Sequence, residues 1–440
     1  MYITDIEISD LRGFKGSHSV SLAREDGSYA GWTVFAGRNG AGKSTLLKAI
    51  ALTVVGPLAS RSLAGVFTDW IRRGSEEASV AVKLDIDTAV DTFKSGRPNK
   101  TPFWLGLRWS RGHQSNDLLD RLKDKTQEKV ADRGPWAENQ PGWFIAAYGP
   151  YRHLGPPSAE VIKLSMDPVL ARLINLFNEA ATLSDAIEWL IKQVHLRALE
   201  NRPGMEELKN DILAILGDGL LPDGSEVKGV DSEGLWIERD GVTIKLEQVS
   251  DGYRTVAALV VDLLRRLYES YGSLGIEKLP SGKIICRKPG VVLIDEIDAH
   301  LHVAWQQEIG FWLTERFPAI QFIVTTHSPF ICQAAGSKGI IRLPAPGEER
   351  TIEHIEESTW KSVVNGGADD AVMTELFGLE HAHSKKAEHI RNKLSELESI
   401  ILNGKASTSQ LTEYKNLKDQ ISEDLGTLAD IKFRSLLGAK

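Results

Sequence analysis

Trp32-Thr33-Val34-Phe35-Ala36-Gly37-Arg38-Asn39-Gly40-Ala41-Gly42-Lys43-Ser44-Thr45 decides the fold. Its second half matches G-x-x-x-x-G-K-[ST] through Gly37, Gly42, Lys43 and Ser44. Its first half is a compact apolar run of strand type, and Leu46, Leu47, Ile50 and Ala51 follow at helical spacing. Strand, glycine loop and helix in that order make a phosphate cradle. The glycines let backbone N–H groups point inward, and the helix adds its positive N-terminal end. In such a cradle Lys43 reaches the β- and γ-phosphates of a nucleoside triphosphate, and the Ser44 hydroxyl ligates Mg²⁺. Asn39, Gly40 and Thr45 complete the expected binding set. The pattern predicts an α/β fold, a P-loop NTPase with a mixed, largely parallel central sheet.

Three further motifs lie downstream. Val291-Val292-Leu293-Ile294 is an apolar strand that ends in Asp295-Glu296, and strand ends are where α/β sheets bind ligands. Asp295 is expected in the magnesium shell, and Glu296 as the base that orients and deprotonates the attacking water. His327 follows Ile323-Val324-Thr325-Thr326, another strand end, and is placed to donate to the γ-phosphate. Ser250-Asp251-Gly252 opens an apolar helix from Val256 to Leu267 and offers a second anion site. A simple helix cap by Ser250 or Asp251 is the other reading of that segment. Two γ-phosphate sites make sense if two chains sit head to tail and each completes the other's pocket, so the expected assembly is a homodimer or a higher even oligomer.

Composition sets limits. The chain has 440 residues, 42% hydrophobic and 25% charged, as in ordinary globular proteins. The net charge of −8 does not advertise nucleic acid, so any such contact needs a local patch. The two cysteines, Cys286 and Cys332, make neither a disulfide framework nor a zinc cluster. The start, Met1-Tyr2-Ile3-Thr4-Asp5, lacks a signal-peptide layout, and no uninterrupted apolar run appears long enough for a bilayer. The expected setting is cytoplasmic, without a membrane.

The sequence divides into four parts: 1–93 with N-terminal antiparallel strands and the phosphate loop, an insertion 94–234, a second core half 235–345, and a C-terminal region 346–440. Residues 94–142 hold Lys94, Arg97, Lys100, Arg108, Arg111, Arg121, Lys123, Lys125, Lys129 and Arg133, with Trp104, Trp109 and Trp136 interleaved and Trp143 just beyond. That composition suits DNA or RNA, with cations on phosphates and an indole on an unpaired base; a solvated lid or protein-binding surface is the alternative. Asp85 and Asp87 lie on the polar side of an alternating strand, and no further acids complete a nuclease centre there. Residues 158–217 read as helical, and Asp240-Gly241 as a hairpin turn. In the tail, Ile390, Leu394, Leu397 and Ile401 mark one amphipathic helix, and Leu411, Leu417, Ile421 and Leu425 another; Asn403-Gly404 ends the first and Ser407 with Gln410 forms a capping box for the second. The pair, over about 384–426, is expected to be antiparallel.

Leu11-Arg12-Gly13-Phe14, the phosphate loop, Ser250-Asp251-Gly252-Tyr253-Arg254, Asp295-Glu296-Ile297-Asp298-Ala299-His300-Leu301-His302 and Thr325-Thr326-His327-Ser328-Pro329 together resemble the RecF/SMC/OLD-like branch of ABC-type ATPases. They look most like short-coil prokaryotic members in anti-phage defence, the Septu-type ATPase and the ATPase part of OLD nucleases. The likeness covers roughly 1–60 and 245–335. It implies an ATPase that dimerises around ATP and Mg²⁺ and drives a separate effector, a nuclease of the HNH type. It implies a role for Arg12 near the nucleotide and for Asp298, His300 and His302 at the partner subunit. For His300 and His302, a polar helix start is the plainer reading. The usual glutamine loop has two candidates, Gln140 and Tyr148-Gly149 with Arg152. No heptad arm separates the two halves, which argues against entrapment of DNA by coiled coils. Two other readings are a RecF-like DNA-binding ATPase of repair or recombination and, less well matched, a transporter's nucleotide-binding subunit.

Overall fold

The structure, a computed structural model, describes residues 1–64, 69–112, 117–138, 140–221, 224–381, 383–403 and 406–420. The chain opens with the hairpin β1 (Tyr2–Ser9) and β2 (Ser17–Ser21), and β3 (Gly31–Ala36) runs into the glycine loop and the helix Lys43–Ala64. Strands β4 (Glu77–Asp85), β5 (Phe103–Arg111), β6 (Asp117–Arg121) and β7 (Ile145–Tyr148) follow. Short helical segments fill Ala159 to Leu199, then comes the helix Met205–Gly217. Next are β8 (Glu226–Asp231), β9 (Gly234–Arg239), β10 (Val242–Lys245), the helix Asp251–Tyr271, β11 (Ile276–Lys278) and β12 (Ile284–Cys286). The second core half closes with β13 (Gly290–Ile294), the helix Val303–Arg316, β14 (Ile320–Thr325), β15 (Ile340–Arg342) and β16 (Glu353–His354).

The apolar runs around Val34, Leu293 and Ile323 become neighbours in one sheet, ordered β16-β15-β3-β14-β13-β7. All its pairings are parallel except the edge pair β15–β16. Both faces are covered, which is why these strands are apolar throughout rather than alternating. Side-chain parity divides them. Trp32, Val34, Val292, Ile294, Phe322 and Val324 face a core shared with the helix Asp251–Tyr271. Phe35, Val291, Leu293 and Ile323 face a second core, built with the phosphate-loop helix and the antiparallel sheet β2-β1-β4-β5-β6. Buried Gln321 joins the two sheets: its Oε1 accepts from the Ile3 N–H at 2.7 Å, and its Nε2 donates to the Ile3 carbonyl at 2.8 Å.

Two expected boundaries move. The segment from 94 is not a separate lobe, because β5 and β6 extend the N-terminal sheet and Phe103, Leu105, Leu107 and Trp109 point into its core. The C-terminal region starts later than 346. The chain divides into Met1–Phe377 and Gly378–Lys440, since Val363, Ala371 and Leu376 are buried in the first unit's core. The second unit holds the helices Lys385–Leu402 and Thr408–Lys418, which pair as expected through Tyr414 on Glu398 and Lys393 on Glu413. Ser407 and Gln410 form the anticipated capping box. Gly404, Ile421 and Leu425 lie outside the described residues. By length and composition the helix Lys43–Ala64 would pass for a membrane span after all, yet it is the phosphate-loop helix and packs inside the core.

Candidate nucleotide site

The parallel pairing brings the carboxyl ends of β3, β14, β13 and β7 to one edge of the sheet. The glycine loop leaves β3, Thr326 and His327 leave β14, Asp295 and Glu296 leave β13, and Gly149 to Arg152 leave β7. Four segments remote in sequence therefore meet at a single rim.

In the loop, Gly40 (φ 80°) and Gly42 (φ 88°) adopt left-handed backbone that a side chain disfavours. A Cβ at Gly42 would also lie 2.6 Å from the Phe14 ring. The Leu11-Arg12-Gly13-Phe14 turn thus supports the cradle from below, which explains its place beside the loop motif. The Lys43 ammonium is folded onto the loop carbonyls of Gly37 at 2.8 Å and Arg38 at 3.3 Å. Burial pushes its pKa below the ordinary lysine value, against the opposing pull of Glu296, Asp295 and Asp298. Ser44 and Thr45 are half-buried at the helix start.

Asp295 is buried, and its Oδ1 accepts from the Thr325 hydroxyl at 2.5 Å. The same hydroxyl oxygen accepts from the Glu296 N–H at 2.8 Å, so Thr325 fixes both acids from the neighbouring strand. Glu296 itself is half-buried and has a left-handed backbone (φ 44°). Asp298 Oδ1 accepts from the Thr326 hydroxyl at 2.5 Å and from the His327 N–H at 3.3 Å. The exposed His327 has its pKa lowered by partial burial first and by Lys43 second, while Asp298, Glu296 and Asp295 act in the opposite sense. Lys43, Asp295, Glu296, Asp298 and His327 therefore form one electrostatic cluster. Two oxygen donors, the Ser44 hydroxyl and the Asp295 carboxylate, suit a hard divalent cation such as Mg²⁺.

Arg152 carries the least expected geometry. Its guanidinium is buried and, among the described residues, hydrogen-bonds main-chain carbonyls rather than carboxylates. Nη1 donates to the carbonyls of Gly149 (2.8 Å) and Asp295 (2.9 Å), and Nη2 to those of Glu296 (3.0 Å), Ile297 (3.2 Å) and Ala299 (3.3 Å). Burial, the dominant cause, pushes its pKa down to about 10. The sequence offered only its position after a strand as a signal. Gln140, the other glutamine-loop candidate, is excluded by placement. It precedes β7, hydrogen-bonds Thr92, and lines a cavity of about 270 Å³ with Val54, Trp143 and Arg172 at the strand end away from the loop.

The remaining candidates sort themselves by contacts. Arg12 lays its guanidinium over the Trp70 ring at 4.7 Å and donates to the Asp69 carbonyl. His302 caps the helix Val303–Arg316 by accepting from the Ala304 N–H at 3.3 Å, the plainer of its two readings. His300 is exposed with φ 67°. Ser250 occupies the cap position of the helix Asp251–Tyr271, yet its hydroxyl makes no capping bond and is exposed. Gly252 abuts the His300 turn: a Cβ there would lie 2.9 Å from the His300 carbonyl oxygen. This helix belongs to the core opposite the phosphate-loop helix, on the other face of the sheet.

The basic stretch has a structural purpose that charge alone did not reveal. Trp109 is fully buried and stacks on Trp70 with centroids 4.8 Å apart; Trp143 is buried beside Phe93 and Phe103. Lys83 and Lys125 cover Trp104. Arg108, Arg121 and Lys125 pair with Glu77, Asp132 and Glu7. Lys94, Arg97, Lys100, Lys123 and Lys129 are exposed.

The family described as AAA domain, putative AbiEii toxin, Type IV TA system matches residues 33–333. A Septu protein PtuA of Bacillus mycoides is 27% identical over 437 residues, 98% of this chain and 52% of that protein, so the chain spans about half of that relative's length. A retron Ec83 probable ATPase of Escherichia coli is 24% identical over 98% of this chain and 86% of its own. The SMC head bound to the C-winged helix domain of ScpA aligns with a TM-score of 0.46 at 17% identity, covering 81% of this chain and 99% of that one.

Proposed function

The chain belongs to the family described as AAA domain, putative AbiEii toxin, Type IV TA system, and on that premise we propose that it is an ATP hydrolase that closes head to tail with a second copy around ATP and so regulates a separate effector. The observation that carries this reading is the meeting of Lys43, Asp295, Glu296 and His327 at one sheet edge, with Ser250 and Gly252 heading a helix on the opposite face. Lys43 already bonds carbonyl oxygens in the loop and exchanges them for phosphate oxygens. Ser44 and Asp295 would hold Mg²⁺, which would supply charge neutralisation on the phosphates. Glu296 orients a water and takes its proton. His327 donates to the γ-phosphate, and Ser250 and Gly252 of the second copy cover it from the far side.

The effector half of the proposal rests on likeness to the Septu protein and the retron ATPase. The setting proposed is anti-phage defence; that the effector is a nuclease of the HNH type acting in the cytoplasm is inferred from the resemblance of the sequence motifs alone. One experiment addresses both halves. Glu296→Gln keeps nucleotide binding and is expected to lower hydrolysis by about 10²–10⁴-fold, trapping an ATP-dependent dimer that size-exclusion chromatography resolves. Used as bait in its native host, the trapped dimer should retain a nuclease. Hydrolysis at the wild-type rate removes Glu296 as the base, and a monomer at saturating ATP removes the clamp. Lys43→Ala abolishes nucleotide binding and serves as the empty control.

A further inference from the structure

We propose that Arg152 is a positioning residue for hydrolysis, setting the Glu296 main chain through carbonyl contacts and tying it to the helical segment that follows β7. The inference rests on the ATPase reading above. Burying a guanidinium is costly unless its donors are satisfied. Here five carbonyl oxygens satisfy it, and those of Asp295, Glu296, Ile297 and Ala299 belong to one turn. Carbonyls so close in sequence converge on one point only if the chain curls around it. The curl is visible in the left-handed backbone of Glu296 (φ 44°), a conformation that surrounding contacts must hold in place. On its other side the same turn is held by Thr325 and Thr326. The Glu296 carboxylate is therefore aimed by a main chain gripped from two neighbouring strands.

Arg152 is in turn anchored away from the site. Gly149 donates to Asn175 Oδ1 at 2.9 Å, and a Cβ on Gly149 would lie 2.6 Å from the Asn175 carbonyl oxygen. The His153 carbonyl accepts from the Leu183 N–H at 3.1 Å. A shift of residues 175–183 thus moves Arg152, and with it the turn that carries Glu296. Among the described residues the hydrogen bonds of this path do not include the glycine loop, although Ile174–Phe177 packs on the helix Lys43–Ala64, so the path should act on hydrolysis more than on ATP binding.

Arg152→Lys and Arg152→Ala separate these effects. Lysine keeps the charge but cannot fork across five acceptors. A misplacement of about 1 Å costs on the order of 10²-fold in rate, so kcat should fall by that order in both variants. The Kd for ATP-Mg, measured by fluorescence or calorimetry, should stay within about threefold of wild type, because binding and chemistry are distinct readouts. Guanidinium ion added at millimolar levels should restore part of the rate to Arg152→Ala and none to Arg152→Lys. Asn175→Ala, which leaves the guanidinium in place, should lower kcat in the same direction and serves if Arg152→Ala does not fold. Wild-type kcat in Arg152→Lys overturns the inference, as does a parallel loss of ATP binding and rate. A wild-type protein that never hydrolyses ATP overturns the ATPase reading instead.

Discussion

At the residue scale, Thr325 shows how little of this site depends on the motif residues alone. Its one hydroxyl accepts from the Glu296 N–H and donates to Asp295, so the proposed magnesium ligand and the proposed general base are registered by a third residue on another strand. His327 permits a prediction with a definite sign. Partial burial and Lys43 hold its pKa below the usual ~6.5, so near neutral pH it is uncharged. ATP adds negative charge beside it and opposes Lys43, which raises that pKa. Binding near pH 6 should therefore take up protons. Calorimetric titrations of ATP into Glu296→Gln, in buffers of different ionisation enthalpy, should register the uptake. In the Glu296→Gln/His327→Ala double variant it should largely vanish.

At the scale of elements, the phosphate-loop helix is interrupted, and the interruption is filled from outside. Gly56 leaves helical geometry (φ 84°, ψ 172°) and Pro57 has no N–H, so the Thr53 carbonyl loses its usual partner four residues on. The Trp136 indole supplies the missing donor at 3.0 Å, and its ring lies on Gly56. Arg121 covers the Trp136 ring and pairs with Asp132. Trp136→Phe keeps an aromatic ring but removes the donor and part of the packing on Gly56, which should cost at least about 1–2 kcal/mol in urea unfolding. Gly56→Ala should cost more than Trp136→Phe, since a Cβ would lie 2.6 Å from that ring on a left-handed backbone. A Trp136→Phe protein as stable as wild type would show that the Thr53 carbonyl is satisfied by water. This packing also explains what the sequence concealed. The period-two run Phe103, Leu105, Leu107, Trp109 marks a half-buried strand, but the cations interleaved with it say nothing about which sheet that strand joins. The glycine loop and the acids after β13 were legible because their chemistry requires fixed spacing. Arg152 was barely legible because its partners are carbonyls, which have no residue identity.

At the scale of the whole molecule, parity in the central sheet puts the phosphate-loop helix and the helix Asp251–Tyr271 on opposite faces. If the Ser250 hydroxyl, which caps nothing in its own chain, meets γ-phosphate only on a second copy, mixed dimers decide the matter. Lys43→Ala in one chain and Ser250→Arg in the other strike the same composite site, because that site takes its loop from the first chain and its serine from the second. The other site keeps both parts and should retain about half the wild-type rate if the two sites act independently. Both substitutions in one chain, paired with a wild-type chain, strike both sites and should leave almost no hydrolysis. A chain whose own serine served its own loop would give the reverse: no activity in the first mixture and half in the second. Differently tagged, co-expressed chains purified as heterodimers make the two mixtures directly comparable. Their ATPase rates therefore distinguish the shared site from the self-contained one by opposite outcomes.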